Sequence, residues 1–246
     1  MKLHENPYQG AAYMSSEENL SLASADDRLF FNSLVESAKN IFTHDGKVAP
    51  FCLVENKDGV HFVPAIEFSN EEDQKAYARI IQALSATYNA TRIGLVCESR
   101  TLIVRSDEEH QAILKDGKER VARGERPLES NPDAKDVIFV QVESDLGRLT
   151  TFIPTAMAPT GDRYIPLHDS LRISYNSFGS DAWKFESQNS LMSMLLLPEP
   201  VRTNSEVIDK AHKLLNDNYR IEIKPSAEFA QELEKMPKDV PKRTLN

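Results

Sequence analysis

The chain has 246 residues, with 29 Lys+Arg against 38 Asp+Glu for a net charge of −9, 40% hydrophobic residues, 9 Gly, 13 Pro and 2 Cys. That apolar content supports a folded core and excludes global disorder, and the length suits one large domain or one domain with an appended lobe. The acidic balance argues against duplex nucleic acid held on a broad basic face, because Lys and Arg supply most of that affinity. No apolar run approaches the roughly 20 residues of a membrane span, and Met1-Lys2-Leu3-His4 opens no secretory signal, so a cytoplasmic address with no membrane partner is expected.

Residues 1–23 show no sustained period and read as a flexible leader. Ser24 with Asp27 forms an N-cap pattern, and Phe31, Leu34, Val35, Ala38 and Phe42 follow at the spacing of one buried helix face, predicting a helix over 25–42. The runs 50–55 and 60–68 flank Asn56-Lys57-Asp58-Gly59 and predict a hairpin. Ser69 with Glu72 makes a capping box, and Ala76, Tyr77, Ile80, Ile81, Leu84 and Tyr88 form an apolar stripe, predicting a helix over 70–88.

Residues 91–105 read as a strand bent near Glu98-Ser99-Arg100, and Ser106 with Glu109 caps a short third helix. Gly117, Gly124, Pro127 and Pro132 mark 115–135 as a long surface loop. Residues 136–144 and 148–155 predict a second hairpin, with short strands at 163–168 and 171–175. The run 188–197 reads as helical, Thr203 with Glu206 caps a helix reaching Tyr219, and 221–224 reads as a last strand.

The expected architecture is α+β: a mostly antiparallel sheet built from hairpins, with helices packed on one face. The domains are a leader at 1–23, a main domain at 24–180, a smaller mixed lobe at 181–234 packed on it, and a basic tail at 235–246.

Phosphate-binding glycine loops, nucleophile elbows, His-Glu-x-x-His and Cys-x-x-Cys are all absent, and the six histidines never fall at ligand spacing. No metal or cofactor is expected. Cys52 and Cys97 lie in apolar runs and read as buried free thiols. His44-Asp45 and His168-Asp169 could each orient an imidazole, although turn residues have the same composition. The candidate acidic residues are Glu98, Asp133 and Glu143; brought together, they could hold a divalent ion and activate water for phosphoester hydrolysis.

Leu191, Met192, Met194 and Leu195 belong to the most apolar stretch, which suits either core packing or a surface for a protein partner or a second copy. Tyr164, His168, Tyr175 and Trp183 could line a small-molecule pocket.

Asp45-Gly46-Lys47-Val48, the helix at 70–88, Cys97-Glu98-Ser99-Arg100 and Asn131-Pro132-Asp133 with Val140-Gln141-Val142 give residues 44–155 a pattern that resembles uncharacterised α+β proteins of bacteria and their phages. In that group the strand ends Ser-Glu-Ala-Trp and the later loop holds His-Pro-Asp; here the aromatic residue and the histidine are replaced. The resemblance implies the fold and transfers no catalytic residue. The expected function is a non-enzymatic, protein-binding or self-associating role. A divalent-metal-dependent hydrolase and a small-molecule-binding protein are the alternatives.

Overall fold

The computed structural model describes residues 16–64, 71–102, 107–124, 131, 134–166, 172–177, 195–197, 199–218 and 224–225. Seven strands form one antiparallel sheet, in the order β8-β5-β4-β3-β1-β2-β9. They are β1 (Phe51–Asn56), β2 (Gly59–Pro64), β3 (Arg92–Thr101), β4 (Lys135–Ser144), β5 (Gly147–Pro154), β8 (Arg172–Ser177) and β9 (Lys224–Pro225). A separate ribbon pairs β6 (Ala156–Met157) with β7 (Arg163–Tyr164).

Both expected hairpins form. Asn56 Oδ1 accepts the main-chain N–H groups of Asp58 and Gly59, and Gly59 takes φ 139°, closing β1 onto β2. Asp145-Leu146 closes β4 onto β5.

The α+β class and the antiparallel sheet are as expected, but helices cover both faces of the sheet. Helix α2 (Ala25–Asp45) begins at Ser24, whose Oγ accepts Asp27 N–H at 3.0 Å, and ends at Gly46 in the left-handed region at φ 70°. Its Phe31, Leu34, Val35, Ala38 and Phe42 cluster with Phe51, Val96, Ile138, Val140, Val142, Leu149 and Ile153 on one face. Helix α3 (Glu71–Thr87) sets Tyr77, Ile80, Ile81 and Leu84 against Cys52, Val54, Val63, Ile93, Leu95, Cys97 and Phe139 on the other.

Successive strand residues point to opposite faces, so covering both makes the central strands nearly continuous in apolar residues. In β4 every residue from Val137 to Ser144 is buried.

Several expected boundaries shift. The last residues of the supposed leader form α1 (Ser16–Leu22), where Leu20 joins the α2-side cluster and Ser16 Oγ accepts Ile173 N–H at 3.0 Å. Seven residues are too few to show a period, so tertiary contact reveals this helix where pattern does not. The supposed loop at 115–135 begins inside α4 (Asp107–Ala122), which carries Gly117 in its interior and is supported by Asp116–Arg120 at 2.7 Å.

In the supposed helix at 188–197, Leu195–Leu197 are irregular, and 188–194 lie outside the described residues. Of the strand expected at 163–168, Arg163–Tyr164 form β7 in the separate ribbon, 165–166 are irregular, and 167–168 lie outside the described residues. After α5 (Glu199–Arg202), Asn204 Oδ1 rather than Thr203 caps α6 (Ser205–Asn218), accepting Glu206 N–H at 2.9 Å. Ala211 of α6 packs with Ala83 and Ala86 of α3, and β9 pairs with β2, so this C-terminal part builds onto the main sheet and helix.

At Gly147 a Cβ atom would meet Asn176 O at 2.6 Å, whereas at Gly117 none would have a neighbour within 4 Å. Gly147→Ala is therefore expected to cost about 1–3 kcal/mol through steric displacement. Gly117→Ala is expected to gain about 0.5–1 kcal/mol by restricting the unfolded chain. Urea denaturation of the two variants checks both signs.

Candidate functional site

The two described acidic candidates do not converge. Glu98 pairs in register with Ile138, and Glu143 with Ile93. Five residues of β4 separate these levels, about 17 Å at roughly 3.4 Å per residue. Ile138 belongs to the α2-side cluster, and Phe139, whose parity Glu143 shares, to the α3-side cluster, so the two carboxylates leave opposite faces. Asp133 lies outside the described residues. Among the described residues no group of three or more His, Cys, Asp or Glu side chains is placed to hold a metal ion.

Glu98 fastens a corner. Its Oε1 accepts Val48 N–H at 2.6 Å, and its Oε2 accepts from Arg163 Nη1 at 2.8 Å. Arg163 also donates to Gly46 O and lies 5.0 Å from the centre of the Phe42 ring. The β6–β7 ribbon is thereby tied to the end of α2.

Glu143 is fully buried. Its Oε2 accepts the main-chain N–H groups of Leu195 at 2.7 Å and Leu196 at 2.8 Å. Its Oε1 accepts from Gln141 Nε2 at 2.9 Å and lies 2.6 Å from Arg148 Nη2 on the opposing strand. All four partners donate, matching the acceptor-only character of an ionised carboxylate. Burial pushes this carboxyl above its ordinary range, against the downward pull of Arg148 and the two amides. The arrangement anchors a segment to the sheet.

Leu195, one of the candidate partner contacts, is 0% exposed and belongs with Leu196 to the α3-side core. It serves packing within the chain. Leu191, Met192 and Met194 lie outside the described residues.

Of the candidate pocket residues only Tyr164 and Tyr175 are described, and these two lie apart. Tyr164 is 49% exposed in β7, beside the Glu98 corner, while Tyr175 Oη donates to Leu146 O at the far turn. His168 and Trp183 are outside the described residues, as is the pair His168-Asp169. His44 Nδ1 does contact Asp45 Oδ1, at 2.5 Å on an exposed helix end, where the pair has the character of a surface contact.

Cys52 and Cys97 are free and buried, as expected. Burial raises the Cys52 thiol well above its ordinary value, and with the nearby Glu98 charge pushes Cys97 up to about 12. Both are therefore held as unreactive thiols near neutral pH.

Two charged networks escaped the sequence reading because their partners are distant in sequence. Arg92 donates from Nε to Asp27 at 2.7 Å and from Nη1 to Glu55 at 2.6 Å, while Ser144 Oγ donates to the other Asp27 oxygen at 3.0 Å. Arg202, 4% exposed, meets Asp145 through two bonds of 2.6 Å and donates to Leu197 O at 2.9 Å. Buried arginine beside a hairpin carboxylate leaves no local signature.

The surface offers a different feature. Leu22, Leu29 and Leu146 are 53%, 70% and 57% exposed. Leu22 and Leu29 are carried by the α1–α2 corner and Leu146 by the β4–β5 turn, while Met157 and Tyr164, 69% and 49% exposed, lie in the β6–β7 ribbon near the other end of α2. The α1–α2 corner is tied by Arg28 to Ser21 O and Ala23 O, and the β4–β5 turn is tied to α2 through Leu146 N–H, Ser144 and Asp27.

Removing one partner of a buried ion pair strands the other. Glu143→Ala is accordingly expected to cost about 3–5 kcal/mol. Glu98→Ala, at a half-exposed corner, should cost about 1–2 kcal/mol in the same urea titration.

For the thiols, the raised folded-state value means that the unfolded chain loses protons first as pH rises. The protective contribution is complete below the ordinary value of 9.0 and declines from there toward about 12. Melting temperature should fall across that interval, and less so in Cys97→Ala; a thiol reagent at pH 8 should label the two cysteines rapidly only in denaturant.

No protein-family model matches the chain, and neither the curated proteins nor the solved structures contain a match to it.

Proposed function

We propose that this chain is a non-enzymatic protein that works by binding another protein or a second copy of itself, through the corner and turn carrying Leu22, Leu29 and Leu146. The observation supporting this reading is that Leu22, Leu29 and Leu146, three of the five large apolar side chains exposed among the described residues, are carried by the α1–α2 corner and the β4–β5 turn that is tied to it. Single exposed apolar side chains are ordinary, but several on elements tied together favour removal from water by a partner.

The sheet edges supply a second support. Along β8, Ser16 of α1 takes the Ile173 N–H, and along β2 the pairing with β9 brings in Pro225, which has no N–H to offer. Association by adding a strand is disfavoured at these positions.

The test uses the full chain at several concentrations in sedimentation equilibrium, together with affinity capture and cross-linking from lysate. Self-association, or stoichiometric recovery of one protein, is expected. Leu29→Asp and Leu146→Asp should each weaken it at least tenfold with the melting temperature unchanged. A monomer at every concentration that retains no protein, or an association indifferent to both substitutions, would overturn the reading.

A further inference from the structure

Among the described residues, the main-chain hydrogen bonds of Leu195–Leu197 all go to side chains. Leu195 and Leu196 N–H donate to Glu143 Oε2, Leu197 N–H donates to Ser85 Oγ at 3.2 Å, and Leu197 O accepts from Arg202 Nη1. The neighbouring strands are held differently, backbone to backbone, with β4 paired over ten positions to β3 and seven to β5. A buried segment is therefore seated on the sheet without belonging to its ladder.

The groups that hold this segment keep partners without it. Glu143 retains Arg148 and Gln141, Ser85 Oγ retains its bond to Gln82 O at 2.8 Å, and Arg202 retains both oxygens of Asp145. Departure takes both amide donors from Glu143 Oε2 but leaves the carboxylate paired with Arg148 and Gln141 through Oε1, so no charge loses its counter-ion and the penalty is reduced to two hydrogen bonds that water can replace. What opposes departure is the burial of Leu195, Leu196 and Leu197.

From this geometry we infer that Leu195–Leu197 form a strap that opens as a unit on an intact sheet, with Arg202, held in position by Asp145, locking it through Leu197 O. Opening uncovers the apolar cluster that Leu195 and Leu196 complete, including Leu84, Ile93, Leu95 and Phe139. The strap is thus a conformational device controlling a second apolar surface, separate from the exposed leucines at the α1–α2 corner.

Native-state amide exchange in low denaturant tests this on the full chain. The amides of Leu195, Leu196 and Leu197 are expected to exchange at least tenfold faster than those of Phe139 and Val140, with a weaker denaturant dependence. Asp145→Asn should accelerate the strap amides about threefold or more and leave the β4 amides unchanged. Equal rates and equal denaturant dependence for strap and β4 in the wild-type chain would overturn the inference, as would an equal acceleration of both by Asp145→Asn.

Discussion

The constraint on which most of this structure turns is that a carboxylate buried between a sheet and a helix must be met by donors on every side. Glu143 satisfies it with Arg148 across the strand pair, Gln141 two residues away on the same face, and two main-chain amides from more than fifty residues downstream. Desolvation of such a group costs several kcal/mol before any partner is counted, so the partners are a condition of the fold. They also fix where the chain returns after its last long strand. Leu195 and Leu196 are held in the core by their own burial and by the two amide bonds to Glu143 Oε2.

The same principle orders the rest of the molecule. Charged side chains at the strand ends tie elements together: Arg92 joins α2 to β1 and β3, Arg163 joins the small ribbon to the end of α2, and Arg202 joins α5 to the β4–β5 turn. Glu98 and Glu143, the two described acidic candidates, are thus each engaged with a cation and with main-chain or side-chain donors. Between these ties lie two apolar layers, one under α2 and one under α3, with the sheet shared between them. A reactive group needs access and a tuned environment, whereas these groups have rigid partners. This contrast is what directs attention to the surface.

Local structure was largely legible in the residues, and long-range pairing was not. The Ser24 cap, the stripe from Phe31 to Phe42, the Asp58-Gly59 turn and the stripe of α3 declare themselves because each is a short-range pattern with its own physical cause. The side on which each helix lies is a different kind of information. Alternation in β3 can be read as one buried face and one polar face. Gly94, where a Cβ would fall 2.7 Å from Leu34, shows that its second face is pressed against α2. Nor did Gln141 and Glu143 look buried, since polar residues in a strand ordinarily mark its solvent side. Their partners came from β5 and from the segment at 195–196, and no window of sequence contains both. Of the candidate site, residue types were legible and convergence was not.

The most direct measurement of this account is a double-mutant cycle between Glu143 and Arg148, with stability read from urea titrations of the wild type, Glu143→Ala, Arg148→Ala and the double variant. If the buried pair is the anchor described, the two substitutions are coupled by about 1.5–3 kcal/mol, the double variant being much less destabilised than the sum of the singles. Additivity within about 0.5 kcal/mol would contradict it, since it would mean that the two side chains stabilise the fold independently of each other.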